Sequence, residues 1–252
     1  MDLELTGKTA IITGGSRGIG KATARQLALE GVDVAIAART KDALEATAEE
    51  LRKETGRRIL PIVVDTGQDE SVHNMVRQAA EAFGHIDILV NCAAQPGGQG
   101  PVPSLEQITS DHFWNDMNVK VMGYLRCARE VAPYMKQQGW GRIISISGLA
   151  ARQSGSTIGS MRNVSVAALT KNLADELGPF GINATVVHPG MTRTEKTNEE
   201  TAQRMAGGNS SHKIVDARDI ANIVTFLASP KAFPINGDAI AAGGGVGRGI
   251  FY

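Results

Sequence analysis

The chain has no excess charge of either sign. Its 26 lysines and arginines balance its 26 aspartates and glutamates, so no long-range field steers it toward nucleic acid or an anionic membrane. Long hydrophobic runs are missing too: no window approaches the roughly 18 uninterrupted apolar residues of a membrane-spanning helix. The first residues, MDLELTGKTA, carry neither a basic nor an apolar segment, and the expectation is a cytoplasmic protein without a targeting signal. Cysteine is scarce. Cys92 and Cys127 suit neither a metal site nor a redox motif and read as buried free thiols in a reducing compartment. The histidines (His73, His85, His112, His188 and His212) are scattered, so no metal is expected. Repeats, low-complexity tracts and linkers are lacking. What remains is 252 residues, 42% of them hydrophobic, which suits one large α/β domain over residues 1–252.

The most informative segment is Thr13 to Gly20, TGGSRGIG. It joins a short apolar run from Thr9 to a helix-like stretch from Lys21. Gly14 permits a tight exit from a strand, Gly18 lets backbone approach a pyrophosphate, and Gly20 lets the next helix pack against the sheet. The helix N-terminus offers free N–H groups and a positive dipole end to phosphate. Ser16, Arg17 and Ile19 complete this candidate cradle.

Strands are predicted at Thr9–Thr13, Asp33–Ala38, Leu60–Asp65, Asp87–Asn91, Arg142–Ser147, Asn183–His188 and Ala239–Ala242. Most are continuous apolar runs, as in parallel strands buried on both faces. Helices are predicted between them: one capped by Thr40 and ended by Gly56, then Ser71–Phe83, Asp111–Gln138 with a kink at Pro133, Asn163–Leu177 and Ala217–Leu227. Such alternation argues a doubly wound parallel α/β sheet. The polar stretch 192–213 follows a strand and is a candidate substrate lid.

From TGGSRGIG to GDAIAAGGG the whole chain resembles the short-chain dehydrogenase/reductase family, and within it the ketoacyl-reductase-like branch. The resemblance implies a single Rossmann-type domain of about seven strands, a nicotinamide dinucleotide, and a homotetramer or homodimer. Asp65, with Thr66 beside it, matches the acidic residue that contacts adenine. Asn91 opens NCAA where the family has NNAG, so Cys92 and Ala94 replace Asn and Gly and Ala93 is kept. Pro189-Gly190-Met191-Thr192-Arg193-Thr194 matches the segment that holds the carboxamide, with Thr192 backbone and Thr194 side chain as contacts. The second strand ends without a carboxylate, and Arg39 and Arg17 are placed to meet a 2′-phosphate. NADP(H) is therefore expected, with NAD(H) as the alternative.

The family's proton-transfer residues are not matched. Aligned on ALTKNLADEL, the Tyr position is Gly159 and the Lys position is Asn163, which leaves Asn163 as a candidate cofactor contact. The nearest lysine along this helix is Lys171. The three tyrosines, Tyr124, Tyr134 and Tyr252, fall elsewhere. Gly148 stands where the family has its Ser, with Ser147 beside it as a candidate hydroxyl, and Asn118 matches the helix Asn. His188 is a candidate substitute proton donor. Ser160 and Arg162 flank the vacancy, Arg162 as a candidate for an anionic substrate or a subunit contact, and a neighbour's Tyr252 is a further candidate. Three readings follow: an oxidoreductase on a small carbonyl or hydroxyl compound without the usual Tyr/Lys pair; an inactive homologue that binds nucleotide or serves an active homologue as partner subunit; and a non-redox lyase or isomerase.

Overall fold

The computed structural model describes residues 1–94 and 102–247; Tyr252 lies outside them. The elements in chain order are β1 (Thr9–Thr13), α1 (Gly18–Leu29), β2 (Asp33–Ala38), α2 (Lys41–Thr55), β3 (Ile59–Val63), α3 (Asp69–Phe83), β4 (Ile88–Asn91), α4 (Ser110–Met117), α5 (Gly123–Gln138), β5 (Gly141–Ile146), α6 (Thr157–Leu177), β6 (Ile182–Pro189), β7 (Thr192–Arg193), α7 (Glu199–Gly207), β8 (Val215–Asp216), α8 (Ala217–Ala228) and β9 (Ala239–Ala242). Seven strands form one parallel sheet in the order β3-β2-β1-β4-β5-β6-β9. This is the doubly wound, Rossmann-type sheet that the sequence predicts.

The strands read as unbroken apolar runs because both faces are covered. Successive side chains point to opposite sides. Ile12, Val34 and Ile36 pack with α1, α2 and α8 through Leu27, Leu44 and Val224. Ile11, Ala35 and Ala37 pack with α3, α5 and α6 through Val76, Val131 and Leu177. Pro61 is accommodated because β3 is an edge strand, where a missing N–H costs no ladder bond. Thr40 precedes α2, but its side chain makes no cap; Gly56 ends the helix at φ +66°.

The long helix predicted over Asp111–Gln138 is interrupted, though not at Pro133, which lies inside α5. The interruption is a wide, π-type turn at Asn118–Met122. The polar stretch after Thr192 is also more ordered than its composition suggests. It holds α7, capped by Asn198 Oδ1 accepting from the Thr201 N–H at 2.9 Å, and β7 pairs with β8. Strand order reverses between β1 and β4, and a crevice opens there beyond the carboxyl ends of the strands.

Candidate active site

The crevice is a cleft of about 1650 Å³. Its floor is the turn between β1 and α1. A Cβ on Gly14 would lie 3.0 Å from the backbone of Cys92 and Ala93, and one on Gly20 would lie 2.2 Å from the Gly14 oxygen. Backbone therefore packs on backbone, and only glycine fits. Above this floor the first N–H of α1 is already bound by an anion. The Glu195 carboxylate accepts from Gly18 N–H at 2.8 and 3.1 Å. A helix N-terminus attracts negative charge in this way, and a dinucleotide pyrophosphate carries the same chemistry. Ser16, Arg17 and Ile19 line the same stretch.

Beyond the ends of β2 and β3 the wall is formed by Arg39, Asp65 and Thr66. Asp65 Oδ1 accepts from the Gly67 N–H at 2.9 Å, and the Ser71 hydroxyl caps the Asp65 N–H. Arg17 and Arg39 are exposed, and neither pairs with a carboxylate among the described residues. At the other end Pro189, Gly190, Thr192 and Thr194 line the cleft. Thr192 donates to the Gly190 oxygen at 3.0 Å, and the Thr194 N–H is held by the Thr197 hydroxyl at 3.1 Å. Arg193 fixes the start of the 192–213 stretch through two bonds to Asp216, 2.5 and 2.9 Å. Its far side is tied to the glycines after β9, Ser210 N to Gly245 O and Ser211 N to Gly244 O.

The reaction end departs from the sequence reading in four places. Asn118 does not reach the cleft: its amide donates to the Gly67 oxygen at 3.3 Å, because the wide turn points it toward the β3–α3 loop. Lys120, two residues on, lines the cleft instead and donates to the Ser147 oxygen at 3.1 Å. No sequence signal marks it, since a lysine on a helix reads as surface charge. Asn91 is fully buried behind the wall, its amide without a partner among the described residues; Cys92, Ala93 and Ala94 form the wall itself. His188 is buried as well, its Nδ1 accepting from the Gly148 N–H at 3.4 Å. Burial, with the nearby Arg152 and Lys120 charges, pushes it down to about 4, so the ring is neutral at pH 7.

Gly148, Gly159 and Asn163 share the wall with Ser147. The Ser147 hydroxyl turns to Asn163, 3.1 Å from its backbone oxygen and 3.2 Å from Oδ1. Gly159 N–H is capped by the Ser156 hydroxyl. Arg162 Nη1 holds both oxygens of Asp116 at 2.7 Å. The Cys92 thiol is pushed up to about 12 by burial and stays protonated. Among the described residues no cluster suits a metal ion, and no helix is long and apolar enough to cross a membrane.

The backbone cradle and the anion-binding N–H fit a nicotinamide dinucleotide. Comparison with known proteins agrees. Residues 8–205 match the short chain dehydrogenase family. The chain is 34% identical over 249 residues to the short-chain reductase protein NovJ of Streptomyces niveus, covering 94% of this chain and 92% of that one. It is 33% identical over 246 residues to the 3-oxoacyl-[acyl-carrier-protein] reductase FabG of Staphylococcus epidermidis, covering 95% and 98%. L-sorbose reductase from Gluconobacter frateurii, solved with NADPH and L-sorbose, superposes with a TM-score of 0.91 at 28% identity over 99% of this chain and 100% of that one. A 7α-hydroxysteroid dehydrogenase solved with NADH and 7-oxo glycochenodeoxycholic acid gives 0.89 at 29% identity, over 97% and 96%. Fold, cleft and relatives converge, and the chain is a member of the short-chain dehydrogenase/reductase family, of the ketoacyl-reductase-like kind.

Proposed function

We propose that the protein binds NADP(H) in this cleft and is an oxidoreductase acting on a carbonyl or hydroxyl group of a small molecule. The observation that carries the reading is the α1 N-terminus. Its Gly18 N–H already holds a carboxylate, on a floor where no side chain fits at Gly14 or Gly20. In this reading the Gly14–Gly20 turn holds the pyrophosphate, Asp65 and Thr66 the adenine, and Pro189 to Thr194 the carboxamide. Arg17 and Arg39 meet the 2′-phosphate as a two-cation clamp. The bound cofactor supplies or accepts the hydride; the protein orients the substrate and handles the proton. The lid, anchored at both of its ends, closes over the reacting groups and excludes water.

The test is a fluorescence titration with NADPH and, alongside, NADH. NADPH binding tighter than NADH supports the reading, and Arg17→Ala with Arg39→Ala narrows the gap. No binding of either cofactor overturns it.

A second reading has its own support. Gly148, Gly159 and Asn163 together leave the family's usual hydroxyl, phenol and ammonium positions without those groups. A partner subunit that keeps the fold and serves an active homologue would look like this. Co-purification with a tyrosine-bearing homologue, and turnover only in the mixed assembly, would favour it.

A further inference from the structure

Lys120 lines the cleft with no role that the family resemblance assigns. It is 4% exposed and sits at the centre of the wide turn Asn118–Met122. Widened turns of this kind inside helices concentrate at functional sites. The ammonium uses one of its three donors on the Ser147 oxygen, and no ion pair among the described residues includes it. Among the described residues, four titratable or charged groups face it from the surrounding elements: Asp116 on α4, Arg162 on α6, Cys92 after β4 and His188 on β6. Asp116 gives both of its oxygens to Arg162, so its charge is already spoken for. Burial and the Arg162 charge push Lys120 down to about 7, with Asp116 and Cys92 pulling the other way.

The alternatives at this end of the cleft are occupied. Tyr124 is fully buried and donates to the Ile146 oxygen at 2.9 Å. Cys92 stays protonated and His188 stays neutral. An ammonium buried without a counter-ion is costly, and packing alone gives no reason for it: an aliphatic side chain would fill the same volume.

We propose that Lys120 Nζ is the proton donor and acceptor of the reaction, reaching from the α4–α5 junction to the cleft wall that Ser147, Gly148 and Gly159 share; this rests on the oxidoreductase reading above. In the reducing direction the carbonyl carbon gains a hydride from the reduced nicotinamide. Its oxygen takes one proton from the Lys120 ammonium. The products are the alcohol, the oxidised dinucleotide and a neutral amine, which regains its proton from water. Oxidation of the alcohol runs the same steps backward.

Two measurements decide the proposal. The first needs no substrate: trace acetylation by acetic anhydride over a pH series, with each lysine read by mass spectrometry. The expected midpoint for Lys120 is about 7, against about 10.4 for an ordinary lysine, and saturating NADP⁺ shields it. A midpoint at the ordinary value overturns the proposal. The second follows NADPH oxidation by ethyl acetoacetate in wild type, Lys120→Met and Lys120→Arg, after each has been titrated with NADPH. The expected result is retained NADPH binding with kcat down by about 10²–10⁴ in both variants. Arginine fails with methionine because it keeps the charge but releases no proton. Wild-type turnover in Lys120→Arg overturns the proposal, since charge alone would then suffice. A wild type that binds no NADPH overturns the oxidoreductase reading instead. Where the probe is not turned over, the acetylation midpoint alone decides.

Discussion

The Glu195 carboxylate sits on the Gly18 N–H, with its two oxygens 2.8 and 3.1 Å away, where the proposed cofactor reading puts the pyrophosphate. A carboxylate at a helix N-terminus contributes about 0.3–1 kcal/mol, and a second anion must displace it. Glu195→Gln is therefore expected to tighten NADPH binding about two- to fivefold, with the gain shrinking as salt is added. Equal or weaker binding in a fluorescence titration would show that Glu195 does not compete.

Gly20 offers a test whose sign is diagnostic. It lies inside α1, where helix propensity alone makes Ala about 1 kcal/mol better than Gly. The added Cβ would meet the Gly14 oxygen at 2.2 Å, and backbone cannot give way cheaply. Gly20→Ala is expected to lose about 1–3 kcal/mol of stability and to weaken NADPH binding. A variant more stable than wild type in urea would refute the packing argument.

Gly159 is closed to a larger side chain. A Cβ there would stand 2.7 Å from the Ser156 hydroxyl and 3.1 Å from its Cβ, and that hydroxyl caps α6. Gly159→Tyr alone is expected to cost about 1–3 kcal/mol. Ser156→Ala costs about 1 kcal/mol in wild type through the lost cap, and less in the Gly159→Tyr background, where it also relieves the clash. Strict additivity in a double-mutant cycle of thermal melts would rule the clash out.

Two buried bases set the pH dependence of stability. Lys120 titrates at about 7 in the fold and about 10.4 unfolded. Between these values the unfolded chain binds the extra proton, so stability rises with pH. His188, at about 4 in the fold and about 6.5 unfolded, gives a second rise between those limits. Lys120→Met is expected to flatten the upper window and His188→Asn the lower one. Urea midpoints measured across both windows would contradict this if either variant kept the wild-type slope.

The sheet was legible because burial on both faces writes continuous apolar runs. The ranges at Thr9–Thr13, Asp33–Ala38 and Ala239–Ala242 match the observed strands residue for residue. The glycine turn between β1 and α1 is legible for a related reason, since only glycine survives where backbone meets backbone. What the sequence hid depends on rotation about a helix axis. Asn118 and Lys120 are two residues apart, and a wide turn with no marker of its own decides which enters the cleft. Asn91 and His188 sit at strand ends beside the cleft, where the alternation of faces turns them inward. The helix Glu199–Gly207 leaves no apolar signature in the sequence, because its surface is mostly polar and only Ala202 is buried.

The bonds from Ser210 and Ser211 to Gly245 and Gly244 make the segment before β8 and the turn after β9 one mechanical unit. A substitution that shifts either backbone is therefore felt by both.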